Sequence, residues 1–462
     1  MRILKDIRFW LILGFIVRLT GITHAPLESH AWRQTITNMA AKNFTLHNPN
    51  ILYPTVDVMF FDTVDTSGVS PMEFPIYNYS ISLMARIFGW ADWYGRLINL
   101  IVSTFGLWYF YLIVRDYINK KLGEISTYLL MGSLWLTFSR KIMPDTFSMS
   151  LVLIGLYYGL KYLYELKNEK KNLFLFFLFS TIGILSKIPA IFLFAVIPFY
   201  DHIIALRKRL TLILVGLLGL IPIYWWYFVW CPQLIIRFNN RMFFTGKGLI
   251  QGFLEIQGHF IQMSDHLTKF AFSYSGFAFL VFGLFLLIKN KEKKILSLCG
   301  VLTLIYIVFI LKSGYNFVHH NYYIIPFVPV LCLIAGYFLT QIKKPWLFIL
   351  MISIYTVDNI SRKQHDFRIP KRDLYRLNTQ NIVDQFVPAN SLIATNGGPS
   401  PVDIYFTGRK GWSMMQMEMT KEKILTLKSR GATHLIINRH NHDYQFSFEK
   451  LYEDQDFRIY RL

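Results

Sequence analysis

The sequence predicts a polytopic α-helical membrane protein of about eleven transmembrane helices, with a small extracytoplasmic α/β domain at its C-terminus. Of the 462 residues, 53% are hydrophobic and only 16% are charged, whereas a soluble domain carries about 25% charged residues. The apolar residues come in blocks of about twenty, long enough to cross a hydrocarbon core as a helix. Basic residues recur in alternate loops between these blocks, which is the pattern of membrane orientation signals.

The individual spans follow from the apolar blocks. We predict spans at 9–23, 97–114, 124–139, 146–164, 173–186, 188–204, 210–230, 270–288, 295–311, 324–340 and 346–358. Lys187 and Pro189 divide one long apolar run, which we interpret as two helices joined by a tight outer turn. The parity of the loops supports this interpretation.

Loop charge predicts the orientation of the spans. Arg2, Lys5 and Arg8 place the N-terminus in the cytoplasm, because short cytoplasmic loops are rich in Lys and Arg. The alternate loops are basic as expected, with Arg115, Lys120 and Lys121; Lys161, Lys167, Lys170 and Lys171; Arg207, Lys208 and Arg209; Lys289, Lys291, Lys293 and Lys294; Lys343 and Lys344. An odd number of spans then places the first loop, 24–96, and the C-terminal region outside.

Charge and cysteine content exclude other classes. The net charge of +20 comes from short clusters between apolar blocks, not from one basic soluble face, so a nucleic-acid partner is not expected. The cysteines are Cys231, Cys299 and Cys332. Their number and spacing give neither a disulfide framework nor a zinc motif.

Composition divides the chain into two predicted domains. Residues 1–360, with the long first outer loop, form a transmembrane catalytic domain, and 361–462 form the extracytoplasmic α/β domain. Within the second domain we predict a strand at Ser391–Thr395, a loop at Asn396–Pro399, a helix at Ile424–Ser429 and a strand at His434–Asn438. No catalytic signature is visible there, so acceptor docking and a structural cap are both open.

On this topology the unusual polar residues fall on the outer side. They are Glu28, His30, Trp32, Arg33, Gln34, Glu73 and Tyr77 in the first loop, Arg140 and Asp145 in the second, Lys187 in the third, and His319, His320, Tyr322 and Tyr323 in the fifth. Acids, bases and histidines that converge on one membrane face indicate a reaction site.

Structural alternatives remain open for the aromatic and basic residues. Trp32, Tyr77, Tyr322 and Tyr323 are also what an interfacial aromatic belt would contain. Arg140 could extend its side chain to the interface.

Alternatives also remain open for the acid and the histidines. Asp145 follows Pro144 at the start of a span and could serve as a helix N-cap. A carboxylate so close to hydrocarbon is costly, however, which favours a functional role. His319 and His320 could bind zinc with an outer-loop acid, although their spacing is a weak signal.

The outer-loop motifs resemble those of a known superfamily. They are His30-Ala31-Trp32-Arg33-Gln34 running into Met39–Phe44, Glu73-Phe74-Pro75-Ile76-Tyr77, Met143-Pro144-Asp145, Ser186-Lys187 and His320-Asn321-Tyr322-Tyr323. Their order and spacing resemble the GT-C glycosyltransferases that use polyprenyl-phosphate sugars. The chain is most similar to bacterial relatives of protein O-mannosyltransferases and lipid A aminoarabinose transferase. The resemblance covers essentially the whole chain and implies a bacterial cytoplasmic membrane.

One position departs from that family. The better-known relatives carry an Asp-Glu pair in the first loop, and its Asp is their proposed base. Arg33-Gln34 stands there in this chain. The nearby candidates for the base are Glu28, His30 and Glu73. Asp145 matches the second acidic position of the family.

The resemblance implies an inverting displacement of phosphate from a lipid-linked sugar. Glu73 or Glu28 would take the proton of the acceptor hydroxyl, and Asp145 would orient the acceptor or a metal. The phosphate would be held by Arg33, Lys187, His319 and His320, and further substrate contacts would come from Trp32, Gln34, Tyr77, Arg140, Tyr322 and Tyr323. The expected partners are the polyprenyl-phosphate-linked donor, a glycan, lipid or protein acceptor, and membrane lipids.

No cofactor is certain, and a divalent metal stays open. The alternative function is a transporter or flippase of lipid-linked sugars. Such a protein typically has paired broken helices in repeated halves, and the sequence shows no such repeat.

Overall fold

The structure, a computed structural model, describes residues 6–199, 206–239 and 246–462. Arg2 and Lys5, and the last residues of the predicted span 188–204, lie outside the described residues. The chain divides into two compact units. We call Met1–Ile22, Arg96–Tyr227 and Phe243–Phe367 the helical unit, and Thr23–Gly95, Phe228–Met242 and Arg368–Leu462 the sheet unit.

The described α-helices are numbered in chain order. They are α1 (Ile7–Arg18), α2 (Ala31–Leu46), α3 (Ile76–Phe88), α4 (Tyr94–Tyr117), α5 (Lys120–Gly132), α6 (Trp135–Phe138), α7 (Pro144–Tyr164), α8 (Glu169–Ser186), α9 (Leu206–Tyr224), α10 (Cys231–Phe238), α11 (Leu249–Gln257), α12 (Phe260–Asp265), α13 (Ser273–Lys289), α14 (Lys293–Ser313), α15 (Tyr315–His319), α16 (Val328–Thr340), α17 (Pro345–Lys363), α18 (Thr379–Phe386), α19 (Val402–Thr407) and α20 (Lys421–Ser429). Longer 3₁₀ segments run over Ile188–Phe199, Asn321–Phe327 and Lys371–Asn378, and π-helical turns over Trp225–Trp230 and His266–Ala271.

Within the described residues, four helices are long and apolar enough to cross a membrane. They are Tyr94–Tyr117, Leu206–Phe238, Lys293–Ser313 and Asn321–Thr340. A fifth span results if Phe260–Ala271 and Ser273–Lys289, which meet at 98°, count as one. Apolar helices therefore form the scaffold, while the total of about eleven spans stays a prediction.

Several predicted spans are shorter or more broken than their apolar blocks suggest. The block at 124–139 is divided between α5 and α6, and the run after Lys187 is a 3₁₀ segment as far as Phe199. Pro189 explains why α8 does not continue through this run, because a proline in a helix interior lacks the N–H that the helix needs. Hydropathy measures the apolar length of such a run but not where its helix breaks.

The sheet unit contains one mixed six-stranded sheet. Its strands are β1 (Val58–Phe60), β2 (Leu392–Thr395), β3 (Lys410–Ser413), β4 (Ala432–Asn438), β5 (Glu449–Glu453) and β6 (Phe457–Arg461). The spatial order is β1-β3-β2-β4-β6-β5. The pairs among β1, β3, β2 and β4 are parallel, whereas β6 runs antiparallel to both β4 and β5. The predicted strands near 391–395 and 434–438 and the helix near 424–429 are confirmed.

Alternate residues of the central strands enter two hydrophobic clusters. Ile393 packs with Val58 and Ile436, and also with Met39 of α2. The next residue, Ala394, packs in the other cluster with Trp412. This is the period of two expected when both faces of a sheet are covered.

The first loop is part of this sheet. Val58 pairs in register with Gly411, so β1 extends the sheet beside β3. The observed units therefore differ from the predicted division at residue 360, which assigned 24–96 to the transmembrane domain. The difference arises because strand pairing joins segments that lie about 350 residues apart in sequence.

Candidate functional site

Asp145 lies in the first turn of α7. Pro144 occupies the first helical position, where the missing N–H of proline costs nothing. The N-cap is Met143, which has an extended backbone and makes no side-chain cap. Asp145 is therefore not the N-cap, and its carboxylate lies at the positive end of the helix dipole.

Lys187 lies directly after the C-terminus of α8, in extended conformation. Its ammonium Nζ is 2.8 Å from Oδ1 of Asp145, and the two side chains are 12% and 4% exposed. Gly183 allows the helices to approach there, because a Cβ at this position would lie 3.1 Å from the carbonyl oxygen of Ser148. The sequence places these two residues in different loops, and helix packing makes them an ion pair.

Two tyrosines surround the Lys187 ammonium. Nζ lies 5.0 Å from the ring centroid of Tyr322 and 5.8 Å from that of Tyr323, within the range of cation–π attraction. Tyr322 is buried, and the ring of His320 stacks on it with centroids 5.2 Å apart. The 3₁₀ segment Asn321–Phe327 thus brings Tyr322 and Tyr323 to the ion pair, and His320, the residue before the segment, packs on Tyr322.

These groups line a small cavity. Its walls are Asp145, Ser148, Lys187, Pro189, Ala190, Tyr322, Tyr323 and Pro326. The second carboxylate oxygen of Asp145, Oδ2, is buried and accepts no hydrogen bond from the described residues. Because buried polar atoms are nearly always satisfied, this oxygen is suited to accept a hydrogen bond from a bound molecule.

Ser148 is a member of the cavity lining that the sequence analysis missed. Its hydroxyl donates to the carbonyl oxygens of Gly183, at 2.6 Å, and of Lys187, at 3.2 Å. Ser148 follows Asp145 by three residues, so both lie on one face of α7. This spacing of three residues from Asp145 could have identified Ser148 from the sequence.

Arg140 is placed differently from the cavity residues. Its guanidinium donates to three backbone carbonyls, those of Arg18 at 3.1 Å, Thr20 at 2.6 Å and Asp366 at 3.1 Å. Only 1% of the residue is exposed, so it does not extend to an interface. Arg140 joins separate segments of the helical unit and is not among the residues that line the cavity.

In the sheet unit, the predicted first-loop residues gather at the start of α2. His30 is the residue before this helix and has a left-handed backbone, with φ of 66°. Non-glycine residues adopt that conformation rarely, and it recurs at functional sites. One turn into the helix, Nη2 of Arg33 lies 2.5 Å from Oε1 of Glu73. The predicted phosphate-binding cation, Arg33, and the predicted base, Glu73, therefore form an ion pair with each other.

The other first-loop candidates are mostly buried. Glu28 is 4% exposed and Tyr77 is 1% exposed. The Tyr77 hydroxyl donates to the carbonyl oxygen of Gly95 at 2.6 Å, and the Gln34 amide donates to that of Ser29 at 3.4 Å. Trp32 is half-buried.

His319 is exposed and lies apart from the cavity lining. Its ring packs on Tyr315 with centroids 3.9 Å apart, and Nδ1 lies 3.2 Å from the Tyr315 carbonyl oxygen. Across the part of the chain that the structure describes, no group of three or more His, Cys, Asp or Glu side chains is arranged to hold a metal ion.

The sequence and the structure of this chain are each similar to known proteins. Residues 70–227, which include Asp145 and Lys187, match the family model described as dolichyl-phosphate-mannose-protein mannosyltransferase. The whole structure resembles ArnT from Cupriavidus metallidurans bound to undecaprenyl phosphate, with a TM-score of 0.64 and 10% identity over 98% of each chain. The chain has the GT-C fold.

More distant GT-C structures agree with this result. The Archaeoglobus fulgidus oligosaccharyltransferase tethered with an acceptor peptide aligns with a TM-score of 0.52 and 12% identity, over 92% of this chain and 68% of that one. Arabinofuranosyltransferase AftD from Mycobacteria aligns with a TM-score of 0.51 and 13% identity, over 98% of this chain and 41% of that one. A search of curated proteins by sequence finds no match.

The resemblance predicted from the outer-loop motifs is therefore confirmed. The family model, which matches over residues 70–227, bears out the predicted class of enzyme, a glycosyltransferase that uses a lipid-linked sugar.

Proposed function

We propose that this protein moves a sugar from a polyprenyl-phosphate donor to an acceptor at the outer face of the membrane, with inversion at the sugar carbon. The observation that carries the proposal is the Asp145–Lys187 ion pair in a cavity walled by Tyr322 and Tyr323. Such a pair offers a cation for the leaving phosphate and a carboxylate that can orient the attacking hydroxyl.

Lys187 is the proposed partner of the leaving phosphate. Its ammonium is the cation of the cavity lining and is 12% exposed. A preorganised cation stabilises the negative charge that develops as the sugar–phosphate bond breaks, and low exposure strengthens that interaction. The undecaprenyl phosphate bound to ArnT supports a donor of this chemistry.

Asp145 is proposed to orient the acceptor. Its buried Oδ2 can accept a hydrogen bond from an acceptor hydroxyl while Oδ1 stays with Lys187. In the reaction, the acceptor oxygen bonds to the anomeric carbon, the carbon–oxygen bond to the phosphate breaks, and a base takes the hydroxyl proton. A single displacement of this kind inverts the configuration of the carbon.

The base is proposed to come from the first loop. Glu73 is the first candidate, and it would need to exchange its contact with Arg33 before accepting a proton. Glu28 and His30 are the other candidates. In this proposal Arg33, with Trp32, Gln34 and Tyr77, supports substrate binding, and His320, which stacks on Tyr322, assists with the phosphate.

The proposed outer location of the reaction rests on the charge of the loops. Alternating loop charge supports a cytoplasmic N-terminus and outer first and C-terminal segments. The proposed acceptor is a glycan, a lipid or a protein. A requirement for a divalent metal is tested by chelation during the assay.

The test is transfer from a set of radiolabelled undecaprenyl-phosphate-linked sugars by purified protein in detergent. We expect Asp145→Asn and Lys187→Gln each to lower kcat by about 100-fold or more. Glu255→Gln is the matched control, because Glu255 forms an ion pair with Lys247 elsewhere in the helical unit, and it should change kcat by less than about threefold.

Glu73→Gln, Glu28→Gln and His30→Gln identify the base, whose loss should cost about 100- to 10,000-fold in kcat. Full activity in both Asp145→Asn and Glu73→Gln would contradict the assignment. The anomeric configuration of the product, read by NMR, decides between inversion and retention.

A further inference from the structure

We infer that Asn99 is a positioning residue that sets the direction of Asp145. Asn99 lies on α4 and is fully buried. Its side-chain nitrogen donates to the carbonyl oxygens of Phe138 at 3.0 Å, Lys141 at 2.8 Å and Met143 at 3.3 Å. Phe138 is the last residue of α6, and Lys141 and Met143 belong to the turn between α6 and α7, which leads into Asp145.

The orientation of the Asn99 amide is determined by its partners. Carbonyl oxygens only accept hydrogen bonds, so the NH₂ group must face them. The oxygen Oδ1 therefore points the other way, where it accepts a hydrogen bond from the Thr146 hydroxyl at 3.0 Å. Thr146 is the residue directly after Asp145, so one amide holds both the entry to α7 and its first turn.

The start of α7 has no hydrogen bond from the side chain of its own N-cap residue. The N-cap of α7 is Met143, which makes no side-chain cap, and Pro144 has no N–H. The Thr146 hydroxyl also donates to the carbonyl oxygen of Phe138, at 3.1 Å, and Asn99 adds side-chain hydrogen bonds to this helix start from another helix. A small rotation of the first turn would move the Asp145 carboxylate away from Lys187, from which it lies 2.8 Å in the present arrangement.

This inference rests on the proposed function, because it assigns Asn99 an effect through Asp145. The first variant is Asn99→Ala, assayed with the same radiolabelled undecaprenyl-phosphate sugars. We expect kcat to fall by about 10- to 100-fold, the cost of misplacing a reacting group by about 1 Å. The KM for the donor should change much less, because the donor phosphate is assigned to Lys187.

Asn359→Ala is the matched control. Asn359 is equally buried in α17, donates to the carbonyl oxygens of Phe272 and Tyr355, and accepts from the Ser273 hydroxyl. Like Asn99, it is a buried amide that donates to backbone carbonyls and accepts from side chains, here from Ser273 and also from the Lys363 ammonium, but it lies away from the start of α7. Both variants should lower the Tm, and only Asn99→Ala should lower kcat strongly.

A double-mutant cycle separates positioning from general destabilisation. In an Asp145→Asn background, Asn99→Ala should change kcat by less than about twofold, because the group it positions is already gone. Fully additive effects on kcat would overturn the inference. If Asp145→Asn itself retains full activity, the proposed function fails instead, so the two failures are distinguishable.

A second measurement does not depend on activity. Thermal unfolding of Asp145→Asn, Lys187→Gln and the double variant gives the coupling free energy of the ion pair. This coupling free energy should be lost when the cycle is repeated in an Asn99→Ala background and retained in an Asn359→Ala background. Retained coupling in Asn99→Ala would overturn the inference. If Asn99→Ala does not fold, Thr146→Val replaces it, because it removes one hydrogen bond of the same group.

Discussion

The ammonium of Lys187 lies 5.0 Å from the ring centroid of Tyr322, on the same side chain that pairs with Asp145. The lysine is therefore held by two different attractions, one to a carboxylate and one to an aromatic face. A cation–π contact of a partly desolvated ammonium contributes about 1–2 kcal/mol, and its loss would leave the ammonium less well oriented toward a phosphate.

We expect Tyr322→Phe to retain most of the transfer activity, because the ring face that contacts Lys187 is kept. Tyr322→Leu removes the face and should reduce kcat/KM for the donor by about 5- to 30-fold. Steady-state kinetics over a range of donor concentrations provide the measurement. Equal activity of the Leu and Phe variants would show that the ring does not orient the lysine.

The sheet unit should depend strongly on Trp412. This side chain is fully buried in β3, next to β1 of the first loop, and its indole N–H donates to the carbonyl oxygen of Thr63 at 3.3 Å. Trp412→Ala should destabilise the protein by about 3–5 kcal/mol, because it leaves a large cavity. Thermal unfolding of the purified protein measures the effect.

Met417→Ala is the control for that experiment, because Met417 is 81% exposed in the same unit. It should leave the Tm nearly unchanged. A Tm of Trp412→Ala equal to that of the wild type would contradict the packing described for β3.

Asp57 should give the sheet unit a pH-dependent stability. Burial raises the pKa of this carboxyl above 3.8, although the Asn43 amide donates to it and Lys42 and Lys410 oppose the shift. The folded state therefore binds the proton more tightly than the unfolded chain. This contribution to stability is present at low pH and is lost as the pH rises from about 3.8 through the raised pKa.

Asp57→Asn should remove that dependence. We expect the variant to have a higher Tm than the wild type near neutral pH, with a smaller difference near pH 4. Thermal unfolding across this pH range is the measurement, and Asp62→Asn in the same loop is the comparison. The same pH dependence in Asp57→Asn as in the wild type would show that another group causes it.

The strands of the C-terminal region show which secondary structure local sequence patterns can predict. The β-rich runs at Leu392–Thr395 and Ala432–Asn438 and the helix at Lys421–Ser429 were recognisable because they alternate or repeat at short range. The three-residue strand Val58–Phe60 was not recognisable, because its hydrogen-bond partners come from Lys410–Ser413. A strand this short exists only through its pairing.

The candidate site shows the same division. Local sequence identified Asp145, Lys187, Tyr322 and Tyr323 as unusual polar and aromatic residues beside apolar blocks, and it predicted the class of enzyme by resemblance. Only the packing of α7 on α8 decided that Asp145 meets Lys187, and only the turn geometry decided that Arg140 contacts backbone carbonyls and not the cavity. The length and composition of apolar segments are local properties, so the sequence by itself determines them. Ion pairs and hydrogen bonds require distances of about 3 Å between residues far apart in sequence, and only tertiary packing sets those distances.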